Sequence, residues 1–584
     1  MPLDKYSIKA TMGRAGEAQM ANNDQIILDQ ILEDQRNSRA PTSSKPDFFE
    51  MYAAEQLLKD FDLSDDEIES GLVGAGNDGG IDGIYLFLNG DILREDTDVS
   101  FFKKNIEIDV FIIQAKTTPS FGEDAINRFN SVSANLFDLS KDISKFSTVY
   151  NPEVIGAASN FRRVYKQLAA RFPTLRFHYA YVSRGDSASV HQNTARKVEE
   201  LESTVRGLFS DIDFSFEFVG ASNLLALARR QPKTSYALAV AESISAQGGY
   251  ICLVKLGEFD KFIRDEDGNL RKHLFESNVR DYQGSTEVND EIQSTLAGST
   301  GDDFWWLNNG VTIIASKAVQ SGKSLTIEYP QIVNGLQTST EIYKYFSESG
   351  AADGGRSVMV RVIESDQADS RDRIIKATNS QTNIPPASLR ATDKIHRDIE
   401  QYLKPFGLYY DRRKNSHKNE GRAIEQIVSI PLMAQSVMSI CLGRPNDARA
   451  RPSSLLKKDD DYNSIFSPSY PIEMYLVAGK IIKDVQSDLR RRTELPAKDR
   501  NNLIFYVAMH LASCLAGKVK PSASEIASVP LESITPEVIE ESIAEVKGHY
   551  DGLGATDQAA KGTGLLPLVE KSLSERFAAA HPGA

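Results

Sequence analysis

The chain has 584 residues, 41% of them hydrophobic and 25% charged, a soluble globular balance in a length that calls for about two to four domains. Its formal net charge of −14 argues against a protein that coats nucleic acid along its length, though not against a local basic stripe. No run of about 18 apolar residues occurs, and the start "MPLDKYSIKATMGRAGEAQM" has no signal-peptide core, so a cytoplasmic chain without membrane spans is expected.

Residues 1–44 are polar, and "RNSRAPTSSKPD" within them reads as a linker, so an N-terminal arm is expected. A helix follows through "DFFEMYAAEQLLKDF", where apolar positions recur at helical intervals and Asp47 and Glu50 have capping-box spacing. "GIDGIYLFLNG" predicts a strand ending in an Asn-Gly turn, and "IDVFIIQAK" a second, almost wholly apolar strand stopped by Pro119. Helical patterns come next at "EDAINRFNSVSANLFDL" and "ASNFRRVYKQLAARF". Two further strands, "FHYAYVS" and "DFSFEFVG", flank the helical "QNTARKVEELESTVRGLF". This order predicts an α/β sandwich with a mixed sheet over residues 45–235, closing near Gln231 to Lys233. Residues 245–460 mix strands such as "NNGVTIIAS" and "VMVRVIE" with helices, and residues 461–584 read as a helical region.

The chemistry concentrates in "GAGNDGGIDGIYLF" and "FIIQAK". Phosphodiester hydrolysis must neutralise phosphate charge and supply hydroxide at neutral pH, and a divalent ion does both. Mg²⁺ takes oxygen ligands and keeps several waters, so one carboxylate with one or two carbonyl oxygens suffices. Asp82, early on its strand, suits the carboxylate, with the side-chain oxygen of Gln114 and the backbone carbonyl of Ala115 beside it. Alternation puts Gln114 and Lys116 on one face, where the Lys116 ammonium can orient water or offset developing charge. The glycines at 74, 76, 79, 80 and 83 permit positive φ angles and close approach of a phosphate backbone, with Asp78 shaping the loop. The bland alternative is a turn followed by a chance Gln-x-Lys, but an apolar strand seldom ends on an unpaired lysine.

"FE" on the first helix, "GNDGGIDG" and then "QAK" together resemble the PD-(D/E)xK nuclease superfamily, especially the Mrr-like restriction endonucleases with Gln in place of the usual acid. The resemblance implies a restriction-endonuclease-like fold, a catalytic core of Asp82, Gln114 and Lys116, and a helix-borne glutamate as a further metal ligand. Glu50 matches that glutamate by its place in "FFE", and Glu55 competes for the role. One departure is the insertion "NGDILREDTDVSFFKKNIE", which separates Asp82 from Gln114 by 32 positions and is expected to form an acidic hairpin near the site.

In the second half, "LFESNVRDYQG", "FWWLNNGVTIIA", "PQIVNGLQTSTEIY" and "KATNSQTNIPPASLRATD" occur in order and resemble the abortive-infection phage-resistance (AIPR) family over roughly residues 250–450. That resemblance implies a bacterial defence context, often with a nuclease domain in front, and no established chemistry for this half. "IVNGLQT" is also loosely similar to a ParB-type strand–turn–helix element. Asn308, Asn309, Asn334, Gln337, Thr338, Asn379, Gln381 and Thr382 stand beside apolar strands, so they form either a self-satisfied network or a polar recognition site, which Asn278 and Arg280 can join. Trp305 and Trp306 suit core or interface packing more than base stacking.

Two basic stretches, "DRRKNSHKNEGR" at 411–422 and "DLRRRTELPAKDR" at 488–500, are either phosphate contacts or solvated loops. The three cysteines, Cys252, Cys441 and Cys514, lie far apart in apolar settings, and the histidines, His396 and His417 included, match no zinc spacing. The expected protein is thus an α/β multidomain, Mg²⁺-dependent nuclease, with Mn²⁺ as a substitute ion, serving in anti-phage defence. Its substrate is DNA ahead of RNA, and it works as a homodimer, with other defence proteins as further partners. The rivals are a non-catalytic nucleic-acid-binding scaffold and an RNase toxin.

Overall fold

The computed structural model describes residues 17–580 apart from 75, 101, 103–105, 231–234, 247, 266–267, 269, 276–286, 299–302, 350–354, 366–367, 380–392, 413, 453, 457 and 493. Asn278, Arg280, Gln381, Thr382 and the expected closure at Gln231 to Lys233 lie outside the described residues, as does the side chain of Asn379.

The expected N-terminal arm is largely a helix, α1 (Glu17–Arg39). Its sequence has neither proline nor glycine, and Leu28, fully buried, docks it with Ile31 and Leu32 on the domain behind. Helix α2 (Lys45–Leu57) begins earlier than the spacing of Asp47 and Glu50 implies. Ser44 is its N-cap, accepting from the Asp47 N–H, so Glu50 has no capping duty. After α3 (Asp65–Ser70) come strands β1 (Gly83–Leu88), β2 (Asp91–Ile92) and β3 (Glu107–Lys116). Helices α4 (Glu123–Val132) and α5 (Pro152–Leu168), strand β4 (Thr174–Ser183), helix α6 (Gln192–Leu208), strand β5 (Asp213–Val219) and helix α7 (Ala221–Arg229) complete the unit.

The sheet runs β2-β1-β3-β4-β5, with β1 antiparallel to β3 and the β3–β4 and β4–β5 pairs parallel. It is mixed, as the element order predicts. Ile108, Val110 and Ile112 of β3 meet Phe129 of α4, Phe161 of α5 and Val205 of α6 on one face. On the other face Ile113 and Ala115 meet Phe48 and Tyr52 of α2 and Leu224 of α7. Alternation along one strand thus feeds two cores, which is the physical basis of the sandwich. At Asn89 and Gly90, with φ of 51° and 87°, the predicted turn takes the left-handed pair that a tight hairpin needs.

A second unit begins with β6 (Ser235–Ala239), β7 (Glu242–Ala246), β8 (Gly249–Lys255) and α8 (Leu256–Ile263). It continues through α9 (Glu287–Ala297), α10 (Phe304–Leu307), β9 (Val311–Ala315), β10 (Lys317–Ser321), β11 (Ser324–Glu328) and β12 (Gln331–Asn334). Helix α11 (Leu336–Ser349), strand β13 (Ser357–Glu364) and helix α12 (Ala368–Asn379) follow. Its sheets run β12-β9-β13-β8-β7 and β10-β11-β6 over one shared core. From Lys394 onward the chain is mostly helical, and buried residues from Ile399 to Leu573 form a single cluster. The division expected at 460/461 falls inside that cluster, because the helix Ile472–Arg491 packs directly on Met433 and Leu403. Among the described residues no helix is long and apolar enough to cross a membrane.

Candidate active site

Asp82 stands one residue ahead of β1 and continues its ladder. Its N–H donates to the Ile113 carbonyl at 2.9 Å, and its Oδ2 accepts from the Ala115 N–H at 2.7 Å. The carboxylate therefore replaces the backbone acceptor that β3 lacks beyond the start of β1. Because Gly83 pairs with Ile113, Asp82 falls opposite Gln114 on the same sheet face. Gln114 is 1% exposed, and its Oε1 is buried with no hydrogen-bond partner. An orphaned amide oxygen beside a buried carboxylate is costly unless something electropositive meets it.

Glu50 reaches the same place from α2. A Cβ added at Gly74 would lie 3.1 Å from Glu50 Oε2 and 3.6 Å from Asp82 Oδ1, so the missing side chain leaves room beside both carboxylates. Burial, then the charges of Asp82, Asp47 and Asp78, push the Glu50 carboxyl up to about 8, against the pull of Lys116. Burial likewise lifts Asp82 to about 6, although the Ala115 N–H, Lys116 and Arg128 oppose it. Two crowded carboxylates, with an orphaned amide oxygen across the ladder from Asp82, are oxygen donors of the kind a hard divalent cation takes. Among the described residues no group of three or more His, Cys, Asp or Glu is placed to hold a metal, so the set depends on the Gln114 amide. The side chain of Ala115 is buried in the core and its N–H is engaged by Asp82.

Glu55, the competing glutamate, is engaged by two cations away from Asp82. Burial alone would raise its pKa, but Lys418 Nζ and Arg39 Nη2, each 3.0 Å away, hold it down to about 2. Asp78 shapes the loop as expected, its Oδ1 accepting from the Gly80 N–H at 2.6 Å. Gly79 and Gly80, at φ of 68° and 74°, make the turn, and a Cβ on Gly80 would press on Arg128 and approach Gln114 Nε2 to 3.2 Å.

Two residues escaped the sequence reading. Arg128, exposed on α4, stands over Gly80 and Gln114 and adds a second cation beside Asp82. Asn151 caps α5 and also donates to the Val73 carbonyl at 2.8 Å, tethering the glycine loop. A lone arginine on an amphipathic helix and an Asn-Pro helix start were the available signals. The insertion after Asn89, by contrast, lies at the far end of β1 and β3, roughly 20 Å from Asp82 at about 3.3 Å per residue. It does not guard the site; it docks on the C-terminal helices, with Asp96 accepting from the Ser454 N–H and Glu95 paired with Lys561.

Most of the described basic side chains in both stretches meet internal partners. Arg412 pairs with Glu400, Lys414 with Glu67 and Lys418 with Glu55 and Asp65, while Arg422 lies over the Tyr409 ring. Arg490 pairs with Glu69, and Arg492 with Asp488 and Glu540. Asn309, Asn334 and Gln337 belong to the second unit, before β9, on β12 and in α11, and not to the unit that holds Asp82. Trp305 and Trp306 are 36% and 61% exposed rather than packed in a core.

Residues 275–548 match the family model described as AIPR protein, a stretch that takes in the second unit from α9 onward and much of the helical region. No curated protein matches the chain, and no solved structure does.

Proposed function

We propose that the chain is a metal-dependent nuclease of PD-(D/E)xK type that cuts DNA in anti-phage defence, with the AIPR domain controlling it. The observation that carries this reading is the lifted pair of carboxyls, Glu50 and Asp82, with the buried, partnerless Gln114 Oε1 across the ladder from Asp82. A divalent ion there, Mg²⁺ or Mn²⁺, would be held by Glu50, Asp82 and Gln114 and would supply phosphate charge neutralisation and an activated water. The chain's own share is positional. Lys116, at the open end of β3, offsets negative charge developing on the reacting phosphate. Exposed Arg128 offers a charge to the neighbouring phosphate, and the glycine turn lets a nucleic-acid backbone come close. The AIPR domain supports the abortive-infection role, since a nuclease inside its host needs restraint.

The test incubates purified protein with plasmid, linear and single-stranded DNA and with RNA, each in Mg²⁺ or EDTA. Cleavage of DNA in Mg²⁺ alone is expected. Asp82→Ala and Lys116→Ala should each lower it by at least about 10²-fold, comparable to losing one electrostatic stabiliser. Cleavage of RNA alone would transfer the activity to a toxin RNase, and undiminished activity in either folded variant would reject the site.

A further inference from the structure

The loops that follow β3 and β4 are locked together beside Lys116. Lys116 pairs with Ser183 at the last step of the parallel β3–β4 ladder, so Thr117 and Arg184 leave the sheet side by side. Ser183 Oγ donates to the Thr118 carbonyl at 2.7 Å and accepts from the Gly185 N–H at 3.0 Å. Tyr181 ties the far end of the first loop, its hydroxyl accepting from the Gly122 N–H at 3.1 Å. Gly185 has no room for a side chain, because a Cβ there would press into the Pro119 carbonyl. The result is a fixed ledge on which Thr117, Thr118, Pro119 and Ser120 stay exposed.

Arg184 is anchored on that ledge. Its Nε donates to the Thr117 carbonyl at 2.6 Å, one residue from Lys116, which leaves both Nη groups for other acceptors. Nη1 donates to Asp29 Oδ1 of α1 at 2.8 Å. The two side chains are 35% and 49% exposed, so the ion pair holds weakly. Helix α1 does not depend on it. The neighbouring Leu28, fully buried, docks the helix with Ile31 and Leu32, and this packing carries the Asp29 carboxylate to the guanidinium.

A guanidinium held by its own backbone, with its remaining N–H groups turned to solvent, suits a phosphate oxygen better than a lone exposed carboxylate. A chain of net charge −14 repels nucleic acid as a whole and can hold it only where cations gather. Lys116 and Arg184 gather at the end of the β3–β4 ladder, with Arg128 over Gly80 and Gln114. We propose that Arg184 binds the DNA backbone beside the reacting phosphate, and that Asp29 of α1 occupies the phosphate's place until DNA displaces it. The proposal rests on the reading of the Asp82 cluster as a nuclease site. It makes α1 a restraint at the point of substrate entry, because its carboxylate competes with the anion that must enter.

The experiment measures binding of the full-length protein to a fluorescein-labelled DNA duplex in EDTA, by polarisation over a series of salt concentrations, and cleavage in Mg²⁺ separately. Arg184→Gln should weaken binding by about tenfold, the worth of one charge-assisted hydrogen bond, and lower the slope of log Kd against log salt by about one. Arg184→Lys keeps the charge and should restore most of that slope. Asp29→Asn should tighten binding by up to about fivefold, since an exposed pair is weak, and should have no effect in an Arg184→Gln background. Both positions are part-exposed, and melting curves check that each variant folds. If the protein cuts DNA while Arg184→Gln binds with wild-type affinity and slope, this inference falls and the nuclease reading stands. If Asp29→Asn tightens binding equally with Arg184→Gln in place, Asp29 acts as general charge and its role at Arg184 is overturned. A wild type that neither binds nor cuts DNA overturns both.

Discussion

At the scale of single residues, Glu50 and Asp82 hold protons that the unfolded chain would release, because burial, and then neighbouring carboxylates, lift their carboxyls to about 8 and about 6. The folded state therefore binds more protons across that window. Stability from the pair is present at low pH and is lost as pH rises through the folded values. A bound cation must displace the same protons, so Mg²⁺ affinity should climb between about pH 6 and 9. Glu50→Gln removes one titration while keeping the shape, so in EDTA its melting temperature should fall less steeply with pH than that of the wild type. Parallel slopes in thermal melts from acid to alkaline buffer would show that Glu50 is not the lifted group. Gln114 makes the complementary case. As a neutral ligand it holds the ion loosely, so cleavage should need millimolar Mg²⁺, on the order of ordinary weak sites. Gln114→Glu should keep activity and move the Mg²⁺ midpoint downward at alkaline pH. An unchanged titration would mean that this side chain does not reach the ion.

Among the elements, the glycine turn between Gly71 and β1 sets the geometry of the site. Gly80 needs both its positive φ and its open Cβ position, because Arg128 and Gln114 crowd it. Gly80→Ala should cost about 1–2 kcal/mol for the left-handed backbone alone, and more through displacement of Arg128. Denaturant melts read the loss, and cleavage should fall further than stability alone explains. A variant as stable and as active as the wild type would show the turn to be incidental. The sequence made this element legible because clustered glycines and an apolar strand ending in Gln-Ala-Lys are local patterns, and alternation alone put Gln114 and Lys116 on one side. It could not show that Ser44 rather than Asp47 caps α2, since both residue types cap well and lie three positions apart. Nor could it choose between Glu50 and Glu55. The two project from different sides of α2, and the partners that fix Glu55 are Lys418, far along the chain, and Arg39, in what read as a polar arm. Ion pairs of that sequence separation leave no periodic trace.

Across the whole molecule, α2 lies between the Asp82 cluster and the region that matches the AIPR model. Its Glu50 faces the Asp82 site, and its Glu55 is clasped by Arg39 and by Lys418 of the AIPR domain. Around that clasp Asn415 donates to Asp62 at 2.8 Å, Ser429 to Asp66 at 2.9 Å and Thr42 to Glu425 at 2.9 Å. Lys414 and Lys418, in the basic stretch at 411–422, thus fasten α2 and α3. Lys418 is buried with two carboxylates, so Lys418→Met leaves Glu55 and Asp65 sharing Arg39, a loss of about 3 kcal/mol by the measure of broken buried pairs. If the AIPR domain controls the site through α2, loosening the clasp should also move Glu50. The Mg²⁺ midpoint for cleavage should then rise several-fold in Lys418→Met, although no residue near Asp82 has changed. In a Glu50→Gln background the same substitution should leave the midpoint where it is, because the route from clasp to ion has been cut. A double-mutant cycle on the full-length protein measures this coupling directly. Additive effects of the two substitutions would show that the AIPR domain fastens α2 for stability alone.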